Sequence, residues 1–380
     1  MTYITRKLSI VSALKKKSIM LLGPRRTGKS SLIRHELPGA KVYNLLKVDE
    51  FQRLAMRPQA IREALASERQ ELVIIDEIQK LPSLMDEVHL LIEEHGQRFL
   101  LTGSSARKLR RAHTSLMAGR AKTLHLHPFV SAEIGDFSLA RVLQYGLLPP
   151  VWLTDDPADE LASYAGDYLQ EEIRAEALSR NIENFSRFLQ RAAHCNAQQI
   201  NFESVASDAQ VPARTVREYF HLLEDTLIGT MLQPLQTKGR LKAVAKGKFY
   251  FFDNGVVHQL QGLTALSEHS AAFGGAFETF LFHELKAYMD YRGGSGTLNF
   301  WRTQLGAEVD FVINGDIAVE VKATVMVDER DLKGMKALAG ERSLRRQFIV
   351  SRDPERRRIG DIEVWPYLQF LRALWAGDLW

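Results

Sequence analysis

The run Ile19-Met20-Leu21-Leu22-Gly23-Pro24-Arg25-Arg26-Thr27-Gly28-Lys29-Ser30-Ser31 leaves a chain few ways to fold. Four apolar residues read as a strand. A glycine-bounded turn follows, then a helical stretch through Leu32 and Ile33, which is the strand–GxxxxGK[ST]–helix order with every required position filled. Gly23 and Gly28 allow backbone angles and close approaches that a side chain blocks, so successive N–H groups can turn inward toward phosphate. A helix starting near Lys29 adds the positive end of its dipole. The pattern predicts a phosphate-binding loop over Gly23, Pro24, Arg25, Arg26, Thr27, Gly28, Lys29, Ser30 and Ser31. Lys29 would reach the β- and γ-phosphates of a nucleotide, and Ser30 Oγ would be a ligand of Mg²⁺.

Such a loop works against a sheet that carries acids at a nearby strand tip. Leu72-Val73-Ile74-Ile75-Asp76-Glu77 reads as a strand buried on both faces, ending in two carboxylates where open α/β sheets bind ligands. Asp76 is expected to hold Mg²⁺ through water, and Glu77 to polarise the water that attacks the γ-phosphate. A third strand over 98–102 runs into Gly103-Ser104-Ser105, and either Thr102 or Ser104 could sense the γ-phosphate there. Arg120 follows Gly119 on a loop after a basic helix over 106–111. It is a candidate arginine finger, acting in cis or from a neighbouring subunit, so a homo-oligomer is expected. Around these, 6–17 reads as a short helix with Leu8, Val11 and Leu14 on one face, 41–45 as a strand, and 51–68 as helical spacing. His125 and His127 share a strand face without further ligand types nearby, so no metal is expected on them.

Length and composition bound the rest. At 380 residues the chain holds two or three domains, and 45% apolar with 25% charged residues is ordinary globular material. No apolar run approaches the roughly 18 residues of a membrane span, and Met1 to Lys17 lacks the apolar core of a signal peptide. Cys195 is the only cysteine, which excludes an internal disulfide and fits the cytoplasm. A net charge of +4 says little about nucleic acid, so local charge must carry that question.

Past the proline break at Gly146–Pro150, 155–178 reads as helix with Leu161, Tyr164, Tyr168 and Leu169 on one face. Helices over 185–193, 202–209 (capped by Asn201) and 213–225 follow. The last two are joined by a tight turn, and Arg214, Thr215, Arg217, Tyr219 and His221 lie on the polar side of the second. Then comes a strand over 227–232 and a hairpin-like stretch with Lys238, Arg240, Lys242, Lys246 and Lys248. It has no acid from Gln236 to Phe252, an electrostatic footprint for DNA backbone. Further on, 249–254 reads as a strand, Gly274-Gly275 precede a helix over 276–288, and strands follow over 298–302, 308–313 and 317–322 with an Asn314-Gly315 hairpin turn. Period two puts Glu320 and Lys322 on one face, and Asp310 can join them across the hairpin. Two acids and a lysine in that arrangement suit a Mg²⁺ site, Asp310 and Glu320 holding metal and Lys322 orienting water near a scissile phosphate. A basic tail with Arg342, Arg345, Arg346 and Arg356-Arg357-Arg358 could follow a phosphate backbone beside it.

Gly-Pro-Arg-Arg-Thr-Gly-Lys-Ser (23–30), Ile-Asp-Glu-Ile-Gln-Lys-Leu-Pro (75–82), Leu-Leu-Thr-Gly-Ser-Ser (100–105) and Ala-Gly-Arg (118–120) are together similar to one prokaryotic family of AAA+-type P-loop ATPases. The resemblance runs over about 3–350. It implies ATP and Mg²⁺, a lid-like helical region, a winged-helix module, and a C-terminal domain related to PD-(D/E)XK nucleases. In that domain the resemblance adds Glu278 as a further catalytic acid beside Asp310, Glu320 and Lys322. The expected architecture is α/β: a P-loop core with a parallel sheet over 1–150, a helical and winged-helix region over 151–240, and a small nuclease-like α/β domain over 241–380. The expected activity is ATP hydrolysis coupled to DNA, with Mg²⁺-dependent cleavage in the last domain. The alternatives are a nucleotide-dependent switch, or a DNA-remodelling motor that does not cut.

Overall fold

Residues 3–68, 70–105, 119–168, 182–236 and 246–380 are described by the computed structural model. They divide into two units, Met1–Phe129 with Asp225–Ile228, and Val130–Glu224 with Gly229–Trp380. The basic stretch over 106–111, Ala118, Leu169 and the wing residues Lys238, Arg240 and Lys242 lie outside the described residues. No described helix is long and apolar enough to cross a membrane.

The first unit is built on five parallel strands: β1 (Ser18–Leu22), β2 (Lys41–Asn44), β3 (Leu72–Asp76), β4 (Arg98–Gly103) and β5 (Ala121–His125). They lie in the order β2-β3-β4-β1-β5. The apolar runs of β1, β3 and β4 are buried because helices cover a parallel sheet on both faces. Met20, Leu22, Val73, Ile75, Phe99 and Leu101 pack with Leu54, Ile61, Met85 and Val88 into one core cluster. Leu22 pairs with Gly103 and Ile75 with Leu101, so the C-terminal tips of β1, β4 and β3 share one sheet edge. Helix α1 (Lys29–Glu36) begins directly after the loop that leaves β1.

Two local expectations in this unit change. The helical spacing over 51–68 is two helices, Val48–Met56 and Ala60–Ser67, because Pro58 has no N–H to continue the first and pushes Arg57 out of helical geometry. The N-terminal helix is only Ile10–Leu14, with Leu8, Ile10 and Leu14 buried and Val11 exposed.

In the second unit Pro149 and Pro150 start a helix (Pro149–Leu153) rather than prevent one, since the first turn has no use for their missing N–H groups. Of the helix expected over 155–178, the described part is an α-helix over Pro157–Ser163 that continues as a π-helical turn over Tyr164–Tyr168, with Leu161 and Tyr164 buried as expected; 169–178 lie outside the described residues. Next come α2 (Ile182–His194), β6 (Gln198–Gln199), α3 (Phe202–Ala209), α4 (Ala213–Asp225), β7 (Gly229–Leu232) and β8 (Lys248–Phe251), the strands forming a small antiparallel sheet β6-β8-β7. Asn201 caps α3 through Glu203 N and Ser204 N. Tyr219, expected on the polar side of α4, is buried between the rings of Phe185 and Phe188.

Asp253 caps α5 (Asn254–Gln261), so the strand expected over 249–254 stops at Phe251. Helix α6 (Ala271–Tyr291) starts at a Ser270 cap and keeps Gly274 and Gly275 inside it instead of before it. A six-stranded mixed sheet follows: β9 (Leu298–Arg302), β10 (Glu308–Ile313), β11 (Ile317–Lys322), β12 (Arg346–Ser351), β13 (Arg357–Ile359) and β14 (Ile362–Pro366), in the order β13-β14-β12-β11-β10-β9. Asn314 and Gly315 both take positive φ, 53° and 78°, at the β10–β11 turn, as the hairpin signal predicts.

Candidate functional site

The loop between β1 and α1 is held from several sides. Gly28 (φ 94°) and Arg26 (φ 64°) are left-handed, which turns the loop back on itself ahead of the helix. Gly23 has another reason to be glycine: a Cβ there would lie 2.4 Å from the backbone oxygen of Leu126. Lys29 Nζ donates to Gly23 O (2.7 Å) and Pro24 O (3.1 Å), and Thr27 Oγ1 donates to Pro24 O (2.9 Å). Arg6, buried, donates to Thr27 O (2.7 Å), His127 O (2.6 Å) and Pro128 O (3.2 Å), tying the end of the loop to the segment after β5. The sequence puts Arg6 at the start of the short helix expected over 6–17, and no local pattern marks it as a clamp.

At the same sheet edge the acids join through hydroxyls. Ser30 Oγ donates to Asp76 Oδ2 at 3.4 Å, and Thr102 Oγ1 donates to Asp76 Oδ1 at 2.5 Å. Thr102 Oγ1 also accepts the N–H of Glu77 (3.0 Å), whose backbone is left-handed at φ 62°. This φ costs a non-glycine residue roughly 1–2 kcal/mol, and the bond from Thr102 holds the residue in it. The Glu77 carboxylate accepts from Gln79 Nε2 and from Ser104 Oγ (3.4 Å), and Gln79 Nε2 is also 3.0 Å from Ser104 Oγ. The two sensor candidates therefore divide: Thr102 faces Asp76 and the Glu77 backbone, Ser104 the Glu77 side chain. Gln79 lies inside the Asp-Glu-Ile-Gln string, and nothing local to 76–79 shows that β4 lies beside it.

Arg120 is not brought to the loop of its own chain. It immediately precedes β5, whose first residue pairs with Ser18 at the start of β1, while the loop leaves the other end of β1. Its guanidinium is paired with Glu93.

In the second unit Glu278, Asp310, Glu320 and Lys322 do come together. Lys322 Nζ is 2.6 Å from Glu320 Oε1, Glu320 Oε2 accepts Asp310 N (3.2 Å), and Asp310 Oδ2 accepts Val321 N (2.9 Å). Three residues not anticipated there, Lys248, Glu308 and Tyr250, join them. Lys248, read as part of an exposed basic wing, is buried with its Nζ 3.0 Å from Glu278 Oε1, 3.3 Å from Asp310 Oδ1 and against Glu308 Oε1. Tyr250 OH donates to Glu278 Oε1 at 2.5 Å. The available signal was a lysine opening the aromatic strand Lys248-Phe249-Tyr250-Phe251. Burial, then the charge of Asp310, push the Glu278 carboxyl up to about 7, and the same two causes raise Glu320 well above the usual range. Burial alone would lower the Lys248 ammonium, but Glu278, Asp310 and Glu308 hold it above the ordinary lysine range. Among the described residues no group of three or more His, Cys, Asp or Glu side chains is arranged to hold a metal ion.

Among the described residues, most of the cations on α4 and in the tail that were expected to meet phosphate backbone are engaged within the unit. On α4, Arg214 pairs with Glu218 (3.3 Å) and Arg217 with Glu203 (3.0 Å). In the tail, Arg345 pairs with Asp316, Arg346 and Arg356 with Glu363, and Arg357 with Asp353.

Comparison with known proteins matches the chain in three segments. Residues 15–135 match the family model of an AAA domain, 136–267 a domain of unknown function (DUF8612) and 273–370 another (DUF4143). Uncharacterized proteins of Mycobacterium bovis and Mycobacterium tuberculosis are each 25% identical over 304 residues, covering 78% of this chain and 67% of theirs. Among solved structures, a signal transduction ATPase with numerous domains and a tetratricopeptide repeat sensor from Pyrococcus horikoshii overlays at 15% identity and TM-score 0.26. That overlay covers 76% of this chain and 47% of the other, so the chain spans less than half of its length. The replication initiator DnaA bound to AMPPCP and single-stranded DNA overlays at 11% identity and TM-score 0.28, covering 58% and 90%. Overlays this weak carry no argument about function. The family match over 15–135, with the parallel sheet and its loop, makes the first unit a nucleotide-binding P-loop domain of the AAA ATPase type.

Proposed function

We propose that this chain hydrolyses ATP at the loop of its first unit and couples the nucleotide state to DNA contact by its second. One observation carries the hydrolytic part: the chain of hydrogen bonds from Ser30 through Asp76 and Thr102 to Glu77, built at the tip where the loop begins. In this reading the N–H groups over Gly23 to Ser31 and the ammonium of Lys29 receive the phosphates. Ser30 and Asp76 present the hydroxyl and carboxylate oxygens that suit Mg²⁺, one or two such ligands plus phosphate being its usual set. The ion supplies charge neutralisation at the β- and γ-phosphates. Glu77, its backbone pinned by Thr102, takes a proton from the attacking water, and Ser104 with Gln79 sets where its carboxylate rests.

DNA contact rests on the arrangement of the second unit. Three helices with a three-stranded sheet in the order α2-β6-α3-α4-β7-β8 have the connectivity of a winged helix. The alternative, a nucleotide-dependent switch whose second unit binds without cutting, is favoured by a specific observation: the cations on α4 and in the tail are already paired with acids.

ATP turnover measured with and without DNA, alongside gels of that DNA, tests both parts. Lys29→Ala is expected to abolish tight ATP binding, and Glu77→Gln to bind ATP without turning it over. Wild-type affinity in the first variant or wild-type turnover in the second removes the assignment concerned. Turnover indifferent to every DNA form leaves the switch.

A further inference from the structure

Four carboxylates of the second unit converge: Glu278 on α6, Glu308 and Asp310 on β10, and Glu320 on β11. The resemblance to metal-dependent nucleases would put a divalent ion among them. The donor set does not fit one. The Lys248 ammonium has three N–H donors and lies against three of these carboxylates, 3.0 Å from Glu278 Oε1, 3.3 Å from Asp310 Oδ1 and in contact with Glu308 Oε1. Its side chain is 4% exposed. It rises from β8, where Phe249, Tyr250 and Phe251 are all buried, so the strand cannot withdraw it without unpacking that core.

The remaining oxygens are spoken for in the same way. Arg302 holds Glu308 Oε2 (2.8 Å), Lys322 holds Glu320 Oε1 (2.6 Å), Glu320 Oε2 accepts Asp310 N, and Asp310 Oδ2 accepts Val321 N. Seven of the eight carboxylate oxygens thus have a partner, counting those already taken by Lys248. Four carboxyl groups face three cations, Lys248, Arg302 and Lys322. Mg²⁺ requires oxygen ligands at about 2.0–2.1 Å in octahedral array. Here it would have to share those oxygens with a buried cation of like charge.

We propose that Lys248 stands where a divalent ion would stand in a nuclease of this fold, making the cluster a metal-independent, lysine-filled structural centre. The proposal rests on the second unit alone and is independent of the nucleotide reading.

Binding of Mn²⁺ alone to the nucleotide-free full chain, counted by electron paramagnetic resonance, tests it. Asp310→Asn keeps the shape and the bond to Val321 N, and in the wild-type background it is expected to leave the number of bound ions unchanged. Lys248→Met, which keeps the length of the side chain and removes the charge, is expected to gain one ion per chain. Adding Asp310→Asn to that variant removes it again. Mn²⁺ is also expected to raise the thermal midpoint of Lys248→Met read by tryptophan fluorescence. An ion lost from the wild type on Asp310→Asn overturns the proposal, and so does a folded Lys248→Met chain that gains none. Should Lys248→Met fail to fold, the wild-type and Asp310→Asn pair decides alone.

Discussion

Replacing Thr102 by valine isolates what the hydroxyl at the tip of β4 does, because the two side chains have nearly the same shape. Thr102 is fully buried, donates to Asp76 Oδ1 at 2.5 Å and accepts the Glu77 N–H at 3.0 Å. Losing a hydrogen bond to a charged group costs about 1.5–3 kcal/mol, and an unpaired buried N–H about 1–3 kcal/mol. Glu77 is only partly buried, so water can recover some of the second term. The sum is about 3 kcal/mol, placed on the β3–β4 edge. All five tryptophans (Trp152, Trp301, Trp365, Trp375 and Trp380) lie in the second unit, so fluorescence does not report this change. Hydrogen exchange of the β3 and β4 peptides does. At 1.4 kcal/mol per tenfold, their exchange in Thr102→Val should be about a hundredfold faster than in the wild type. The left-handed Glu77 loses its tether at the same time, so turnover is expected to fall about a hundredfold while ATP affinity, carried by the loop, is retained. Thr102→Ser keeps the hydroxyl and should restore both. Wild-type exchange and turnover in Thr102→Val would refute the role assigned to this hydroxyl.

Glu284 offers a pH test. It is fully buried, takes bonds from Ser131 N (2.7 Å), Ser131 Oγ (2.9 Å) and Trp375 Nε1 (2.6 Å), and burial still pushes its carboxyl up to about 7. The folded chain therefore holds this proton more tightly than the unfolded one, and the stability it confers is lost as pH rises from about 4.5 through 7. Relative to the wild type, Glu284→Gln should gain stability over that interval, on the order of 3 kcal/mol by pH 8, in urea unfolding followed by tryptophan fluorescence. A stability difference independent of pH would show that Glu284 is not protonated there. Gly23→Ala puts a methyl 2.4 Å from Leu126 O, so it should cost about 1–3 kcal/mol and weaken ATP binding in calorimetry. Normal affinity would mean the loop yields at that point. If Arg120 serves a neighbouring copy, mixing Arg120→Ala with Glu77→Gln chains should restore some hydrolysis. No recovery in verified mixed oligomers would leave it as the structural partner of Glu93.

The loop and the pair Asp76-Glu77 were legible because their signal is local: two glycines, a lysine and a serine at fixed spacing, and an apolar run ending in acids. Choosing between Thr102 and Ser104 was not possible from sequence, since their roles depend on β4 lying between β1 and β3, which no short window encodes. Local rules also mislead where context reverses them. Pro58 ends a helix while Pro149 starts one, and the difference is whether the missing N–H falls inside a helix or in its first turn. Tyr219 and Lys248 look like surface residues by pattern, and both are buried by partners distant in sequence: Phe185 and Phe188 for the first, Asp310, 62 positions away, for the second.

Both units contain a strand ending near paired carboxylates, and the sequence invites the same metal-binding reading of each. What separates them is the charge of the partners. Asp76 is met by the hydroxyls of Ser30 and Thr102, neutral groups that both donate and accept and can re-aim by rotating about one bond. A cation arriving there gains the carboxylate without displacing a charge. Asp310, Glu308 and Glu320 are met by ammonium and guanidinium groups, which only donate and which already balance most of the negative charge in a buried setting. A cation arriving there must first expel one. Removing the partner from a buried ion pair typically costs about 3–5 kcal/mol, so the second cluster resists the exchange that the first permits. The chemistry that motifs promise to both units is therefore supported at Asp76 and opposed at Asp310, and a single lysine on β8 accounts for most of the difference.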